Sequence, residues 1–141
     1  MLAFSLVNAL IIGFVVVIHY EFLYRFVAFM PRLRVRYRFR ILLGVFAALA
    51  AHILEVVIFG VAYFLMDSHS RWGSLEGNFE NTLFDSVYFS FTAYTTLGLG
   101  DIEPRGMLRF LVGLESLTGF VLITWTASFL YLEMSRYWDS R

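Results

Sequence analysis

Thr95-Thr96-Leu97-Gly98-Leu99-Gly100-Asp101 is the stretch whose residue types and spacing suit a definite chemistry. A cation stripped of its water can be held by a row of backbone carbonyl oxygens instead. Successive carbonyls line one axis only where the backbone alternates between right- and left-handed torsions. Gly98 and Gly100 accept the left-handed torsions at little steric cost. Thr96 adds a hydroxyl beside its own carbonyl at one end, and Asp101 places a carboxylate at the other. The expected cation ligands are the carbonyls of Thr96, Leu97, Gly98, Leu99 and Gly100 with the Thr96 hydroxyl, and Asp101 marks the outer mouth.

Such a row needs apolar surroundings and rigid elements on both sides. The chain has 141 residues, 60% of them hydrophobic, and a mean hydropathy of +0.72. That is far too apolar for a soluble domain of this length. Three segments exceed the ~20 residues that a helix needs to cross a bilayer: about Leu2 to Phe29, Ile41 to Met66 and Met107 to Tyr131. The first lacks the basic start and small-residue cleavage site of a signal peptide, so it is expected to be a retained span. The formal net charge is zero, which leaves no basic footprint for nucleic acid. There is no cysteine, hence no disulfide framework or thiolate metal site. The three histidines are far apart in sequence, which argues against a metal centre.

All eleven basic residues are arginine, and Arg32, Arg34, Arg36, Arg38 and Arg40 crowd the linker between the first two spans. The positive-inside rule makes this linker cytoplasmic. The N-terminus is then outside, residues 67–106 lie on the outer side, and the C-terminus with Arg136 and Arg141 is cytoplasmic. Arginine at every second position, after Pro31, suits an extended or interfacial elbow touching anionic lipid headgroups. It does not suit a voltage sensor, whose arginines recur every third position inside a span.

Between the second and third spans the chain changes character twice. Residues 67–80 are polar, contain Gly73 and Gly77, and are expected to form an exposed outer turn. Residues 82–95 are apolar and aromatic again. Fourteen residues of helix reach about 21 Å, too short to cross. Such a helix must stop partway and return through irregular backbone, which is tolerated at that depth only where protein buries it or it lines a water-filled cavity. Asn81 or Thr82 is the expected N-cap, Asp85 suits the first turn, and the negative C-terminal end points inward.

The run from Asp85 to Asp101, D-S-V-Y-F-S-F-T-A-Y-T-T-L-G-L-G-D, resembles the pore loop of potassium channels, whose usual core is T-x-x-T-T-V-G-Y-G-D. The resemblance extends from about Ile41 to Trp138 and is closest to small bacterial channels with two pore-forming helices per subunit. It implies an all-α integral membrane protein with a potassium-channel-like pore domain (outer helix, re-entrant pore helix and filter, inner helix) and one extra N-terminal transmembrane helix, assembled as a homotetramer. The division is 1–30 for the first helix, 31–40 for the arginine-rich linker and 41–141 for the pore domain. Potassium is the permeant ion, no cofactor is needed, and no catalysis is required. Tyr88 and Phe89 fall at the places of the family's paired aromatic cuff. With Thr95 and Glu115 they are the expected filter braces, and Gly119 falls at the place of the hinge glycine. Leu97 stands for the usual valine and Leu99 for the usual tyrosine, which removes a bracing hydroxyl. Similar G-L-G filters occur in some two-pore-domain potassium channels.

Charges inside spans need partners. Glu115 is expected to brace the filter from behind or to bond a pore-helix group or Arg109. His52 and Glu55 share a face of span two and are expected to pair. His19, Glu21 and Arg25 are assigned to snorkelling at the inner end of span one, which is expected to be peripheral. Gly44, Gly60 and Gly113 mark expected sites of close helix packing. Glu76, Glu80, Asp101 and Glu103 are expected around the outer mouth. With ten or so residues after span three, no cytoplasmic ligand-binding domain is expected, and the expected location is a bacterial cell (inner) membrane. Three other readings compete with this one. A weakly selective cation channel and a non-conducting subunit share the scaffold. A presenilin-like protease motif, G-x-G-D, needs a second aspartate in a neighbouring span, and span two has only Glu55.

Overall fold

The computed structural model describes residues 1–29, 37–68 and 71–138. Three long helices and one short one carry the fold: α1 (Leu2–Phe29), α2 (Tyr37–Ser68), α3 (Leu83–Tyr94) and α4 (Leu108–Trp138). Two three-residue strands, β1 (Leu75–Gly77) and β2 (Ile102–Pro104), complete it. At 28, 32 and 31 residues, the long helices are each over ~40 Å, enough for a bilayer core of about 30 Å. All three are long and apolar enough to cross a membrane. Their outward faces carry exposed large apolar residues such as Phe14, Phe46 and Phe120, as lipid contact allows.

The first helix has the expected ends, whereas the second starts earlier than expected. Residues 37–40 of the arginine-rich segment already form the first turn of α2, so the extended elbow cannot run to Arg40. Arg32, Arg34, Arg36 and Arg141 lie outside the described residues.

In lipid, apolar side chains gain little by leaving their solvent, so helices associate through close packing and polar contacts. Gly60 shows the first: a Cβ there would sit 2.6 Å from Val87 Cγ2 and 2.8 Å from its Cα. That absent methylene lets α3 lie directly on α2. At Gly44 the same test meets Phe26 and Leu130, both at 3.1 Å. Gly113 differs from its expectation, because nothing lies within 4 Å of it in the chain. The α3 helix is held between α2 and α4, and α1 packs on both α2 and α4. The first helix therefore packs against both other long helices of its own chain. Phe59, Tyr63, Phe89, Tyr94, Leu108 and Leu122 form the centre of the buried cluster.

The expected outer turn is partly strand. β1 pairs antiparallel with β2, with Leu75 opposite Pro104, Glu76 opposite Glu103 and Gly77 opposite Ile102. Leu75 and Ile102 are buried, so the turn is not uniformly exposed. The Asp67 carboxylate accepts the Leu75 N–H at 2.8 Å. Arg105 N donates to Ser74 O at 2.8 Å and Met107 N to Trp72 O at 2.7 Å.

Candidate functional site: the re-entrant loop and its supports

The short helix is cut to length by its caps. Thr82 is the N-cap, its hydroxyl accepting the Asp85 N–H at 3.0 Å. Asp85 in return accepts the Glu80 N–H at 2.8 Å, so two otherwise orphaned donors are satisfied. The helix has 12 residues, about 18 Å, slightly shorter than expected. Its last carbonyls are taken up locally. Thr95 N donates to Phe91 O, Thr96 N to Ala93 O and Gly98 N to Thr92 O, at 3.0 to 3.1 Å. Ser116 on α4 adds a bond to Ala93 O at 2.8 Å. These bonds fold the chain back on itself at Thr95, whose hydroxyl returns to Phe91 O at 2.6 Å.

Beyond the turn the backbone alternates. Positive φ occurs at Thr96 (59°), Gly98 (54°) and Gly100 (79°), and at neither leucine between them. The two glycines follow the sequence expectation. Thr96 is the addition: a β-branched residue with positive φ costs of order 1–3 kcal/mol, and such strain persists only where the surroundings fix it. Residues 95–100 are all exposed in the chain. Leu97 is 64% and Leu99 57% exposed. Behind the loop lies a recess of about 330 Å³ bordered by Phe89, Thr92, Gly98, Gly100, Val112 and Ser116.

Asp101 closes the loop. Its carboxylate accepts the Tyr88 hydroxyl at 2.8 Å, and this bond pushes the Tyr88 phenol above its usual value. Of the residues expected to brace the loop, Tyr88 therefore reaches it directly. Phe89 turns the other way, edge-on against Tyr63 at 5.0 Å between centroids, and borders the recess with its remaining surface. Among the outer acids, Glu76 and Glu103 each pair with Arg105 at 3.0 Å. Both sit on an exposed surface, where such pairs contribute little.

Glu115 is fully buried on α4. It accepts the Ser90 hydroxyl from α3 and the Tyr63 hydroxyl from α2, each at 2.5 Å. One carboxylate thus joins three helices at the level of the pore helix, and a pore-helix group is its partner, as one expectation had it. Gly119 sits one turn further on. A Cβ there would lie 2.2 Å from Tyr94 O and 2.9 Å from the Tyr94 ring. Its absence lets α4 touch the last residue of the pore helix, a steric reason for glycine that stands apart from any hinge.

A second polar group was not legible in the sequence as a whole. His52 and Glu55 do pair, at 3.0 Å. His19, however, is not at the headgroups: it is 1% exposed and contacts Glu55 at 2.7 Å. Glu21 and Arg25 pair with each other on an exposed face at 3.0 Å. The histidines scattered along the chain are thus gathered in part by the fold. The signal that could have found this is a histidine deep inside an apolar span, which needs a polar partner wherever the packing supplies one.

Three membrane-length helices, two of them holding a capped shorter helix that turns back through alternating backbone, define a membrane protein of the pore-loop class. The model of the ion channel family matches residues 51–135, more than half of the chain. The chain belongs to that family and is a membrane protein that passes ions. No curated protein and no solved structure matches it.

Proposed function

We propose that four copies of this chain surround one axis and conduct potassium passively. Each copy contributes the carbonyls of Thr96 to Gly100 and the Thr96 hydroxyl. The observation that carries this reading is the alternation of left-handed torsions at Thr96, Gly98 and Gly100, at the mouth of a helix too short to cross. A single loop offers one row of carbonyls, whereas a dehydrated ion needs a ring of them. Cyclic symmetry closes the ring with one kind of contact. The exposed Leu97 and Leu99 side chains support the same assembly, because apolar groups beside a water-filled pore need cover. A recess like the one behind the loop, in a neighbouring copy, is of a size to receive them. The α4 helix then lines the inner cavity and α2 braces it.

The chain is oriented with its N-terminus outside and the arginine-rich linker at the cytoplasmic face of a cell membrane. There Arg32, Arg34, Arg36, Arg38 and Arg40 meet anionic headgroups, at roughly 1 kcal/mol for each. Asp101 concentrates cations at the outer mouth.

Flux through purified protein in liposomes tests the proposal. Potassium-driven flux that sodium does not support and barium blocks is the expected result. Equal flux of both ions would replace it with a weakly selective channel, as the missing hydroxyl at Leu99 would allow. A chain that forms tetramers and carries no ion would make it a non-conducting subunit.

A further inference from the structure

Polar side chains from all four helices meet at the C-terminal end of the pore helix. Glu55 is fully buried and His19 nearly so. His19, His52 and Glu55 each offer a ligand atom, and these atoms lie within 4.8 Å of one another. His19 Nδ1 is 2.7 Å from Glu55 Oε1, and His52 Nδ1 is 3.0 Å from Glu55 Oε2. The Tyr94 hydroxyl lies 3.0 Å from His52 Nδ1 and touches Glu55 Oε2. On the far side of the rings both Nε2 atoms converge on a single oxygen. Thr126 Oγ1 is 3.1 Å from His52 Nε2 and 3.2 Å from His19 Nε2.

That convergence bears on which ring nitrogens carry protons. A hydroxyl oxygen has two lone pairs and one proton. Thr126 can therefore accept from two N–H groups, whereas it cannot donate to two lone pairs. With both rings neutral, protons on both Nε2 atoms satisfy Thr126 and turn both Nδ1 lone pairs toward Glu55. There they meet an ionised carboxylate, lone pair against lone pair, unless a cation stands between them. Hydrogen bonding alone closes the set only with an extra proton on one ring. A metal ion closes it with two neutral rings, in the pattern usual for ligating histidines: one nitrogen on the metal, the other N–H on an oxygen.

The donor set selects the ion. Two imidazoles with a carboxylate and a phenol oxygen suit zinc, and calcium and magnesium favour oxygen shells. Ligands sharing a tetrahedral zinc at ~2.0–2.1 Å stand roughly 3.3 Å apart. The 2.7 and 3.0 Å contacts of Glu55 thus have to spread by roughly 0.3–0.6 Å. Zinc(II) with the Glu55 carboxylate and a Tyr94 phenolate carries no net charge, as suits a site between membrane helices. The Tyr94 proton leaves to the medium on binding. The His52 side chain is 16% exposed, which gives the ion a way in.

We propose that His19, His52, Glu55 and Tyr94 bind one zinc ion, which staples the N-terminal helix to α2 and to the last residue of the pore helix. Thr126 on α4 orients both rings and does not touch the ion. The histidines that lie far apart in sequence are brought to one metal by the packing of α1 on α2. The proposal stands apart from the channel reading, since it concerns what holds α1 in place and not what passes the pore.

The test is zinc uptake by the full chain in lipid, in a His69→Gln background that removes the remaining histidine. One zinc per chain is expected by metal analysis, with a higher unfolding temperature in zinc than in chelator. Cobalt(II) in its place should show the intense visible absorption of a four-coordinate site. His19→Gln should lose the metal and the zinc-dependent stability at unchanged helical circular dichroism. Thr126→Val keeps all four ligands and frees the rings, so zinc should bind about 10–100-fold more weakly. This second variant tests the site even where His19→Gln fails to fold. No uptake at micromolar free zinc would overturn the proposal, as would equal uptake by His19→Gln or a six-coordinate cobalt spectrum. So would nitrogen-15 spectra showing an imidazolium against Glu55 in the presence of zinc, which would make the cluster a hydrogen-bonded one only.

Discussion

Leu97 and Leu99 stand 64% and 57% exposed on the re-entrant loop, while Glu115, Glu55 and Tyr63 behind it are sealed from solvent altogether. The loop has strained backbone and uncovered apolar side chains. The groups behind it have hydrogen-bond partners within the same chain. A buried carboxylate left unpaired costs several kcal/mol, so the supports have to be complete before assembly. The loop does not, if other copies finish it as proposed. The difference separates residues whose substitution spoils folding of one chain from residues whose substitution spoils only the assembled pore.

Gly98→Ala is expected to show the largest functional effect. Nothing lies within 4 Å of a Cβ at Gly98, so space is not the obstacle. The torsion is: an L-residue in the left-handed region costs roughly 1–2 kcal/mol per chain, repeated four times in the proposed tetramer. Potassium flux should be abolished while helical circular dichroism stays unchanged. A melted chain would place the loop among the folding elements and break the comparison.

Gly119→Ala should act on both sides of the divide. Its Cβ would meet Tyr94 O at 2.2 Å, an overpacking that costs about 1–3 kcal/mol. Thermal stability and flux are expected to fall together. Flux lost at unchanged stability would point instead to a hinge. Next in size is Tyr63→Phe, which removes one of the two hydroxyls on Glu115 and should lower stability by about 1–3 kcal/mol, read by thermal unfolding.

Tyr88→Phe is the smallest effect on folding, as for other changes away from the core. It should shorten the open lifetime of the pore in single-channel records by freeing Asp101. The Asp101 bond raises the Tyr88 phenol from 10.0, so the neutral donor is favoured. The contact is then present below that pH and lost only as the pH rises through the raised value. The gap between wild type and variant should be constant from about pH 6 to 9.

What the sequence disclosed was local. Apolar run lengths located the three spans, Thr82 and Asp85 announced the start of α3, and the two glycines announced their own torsions. Each of these depends on residues a few positions apart. The start of α2 at Tyr37 was hidden because alternating arginines carry no apolar stripe. The positive φ of Thr96 was hidden because a β-branched residue disfavours it, and only bonds to Thr92 and Ala93 around it impose it. The join of His19 to Glu55 spans 36 residues and its join to Thr126 spans 107. No period in a helix records a partner on another helix. Gly119 looked like a hinge from its position, and its contact with Tyr94 became visible only once α3 lay against α4.

The pairing of β1 with β2 has a mechanical consequence. Asn78 N bonds to Asp101 O at 2.9 Å just beyond the paired strands. Backbone bonds therefore cinch residues 78 and 101 together, and everything between them, pore helix and carbonyl row alike, becomes a closed hoop. A pull along α4 is stopped at this clasp before it can stretch the outer end of the row. The same pull still passes through the Gly119 contact to Tyr94. The hoop is thus stiff at its Asp101 end and compliant at its Tyr94 end, and a load on α4 would deform the carbonyl row from the Thr96 end first.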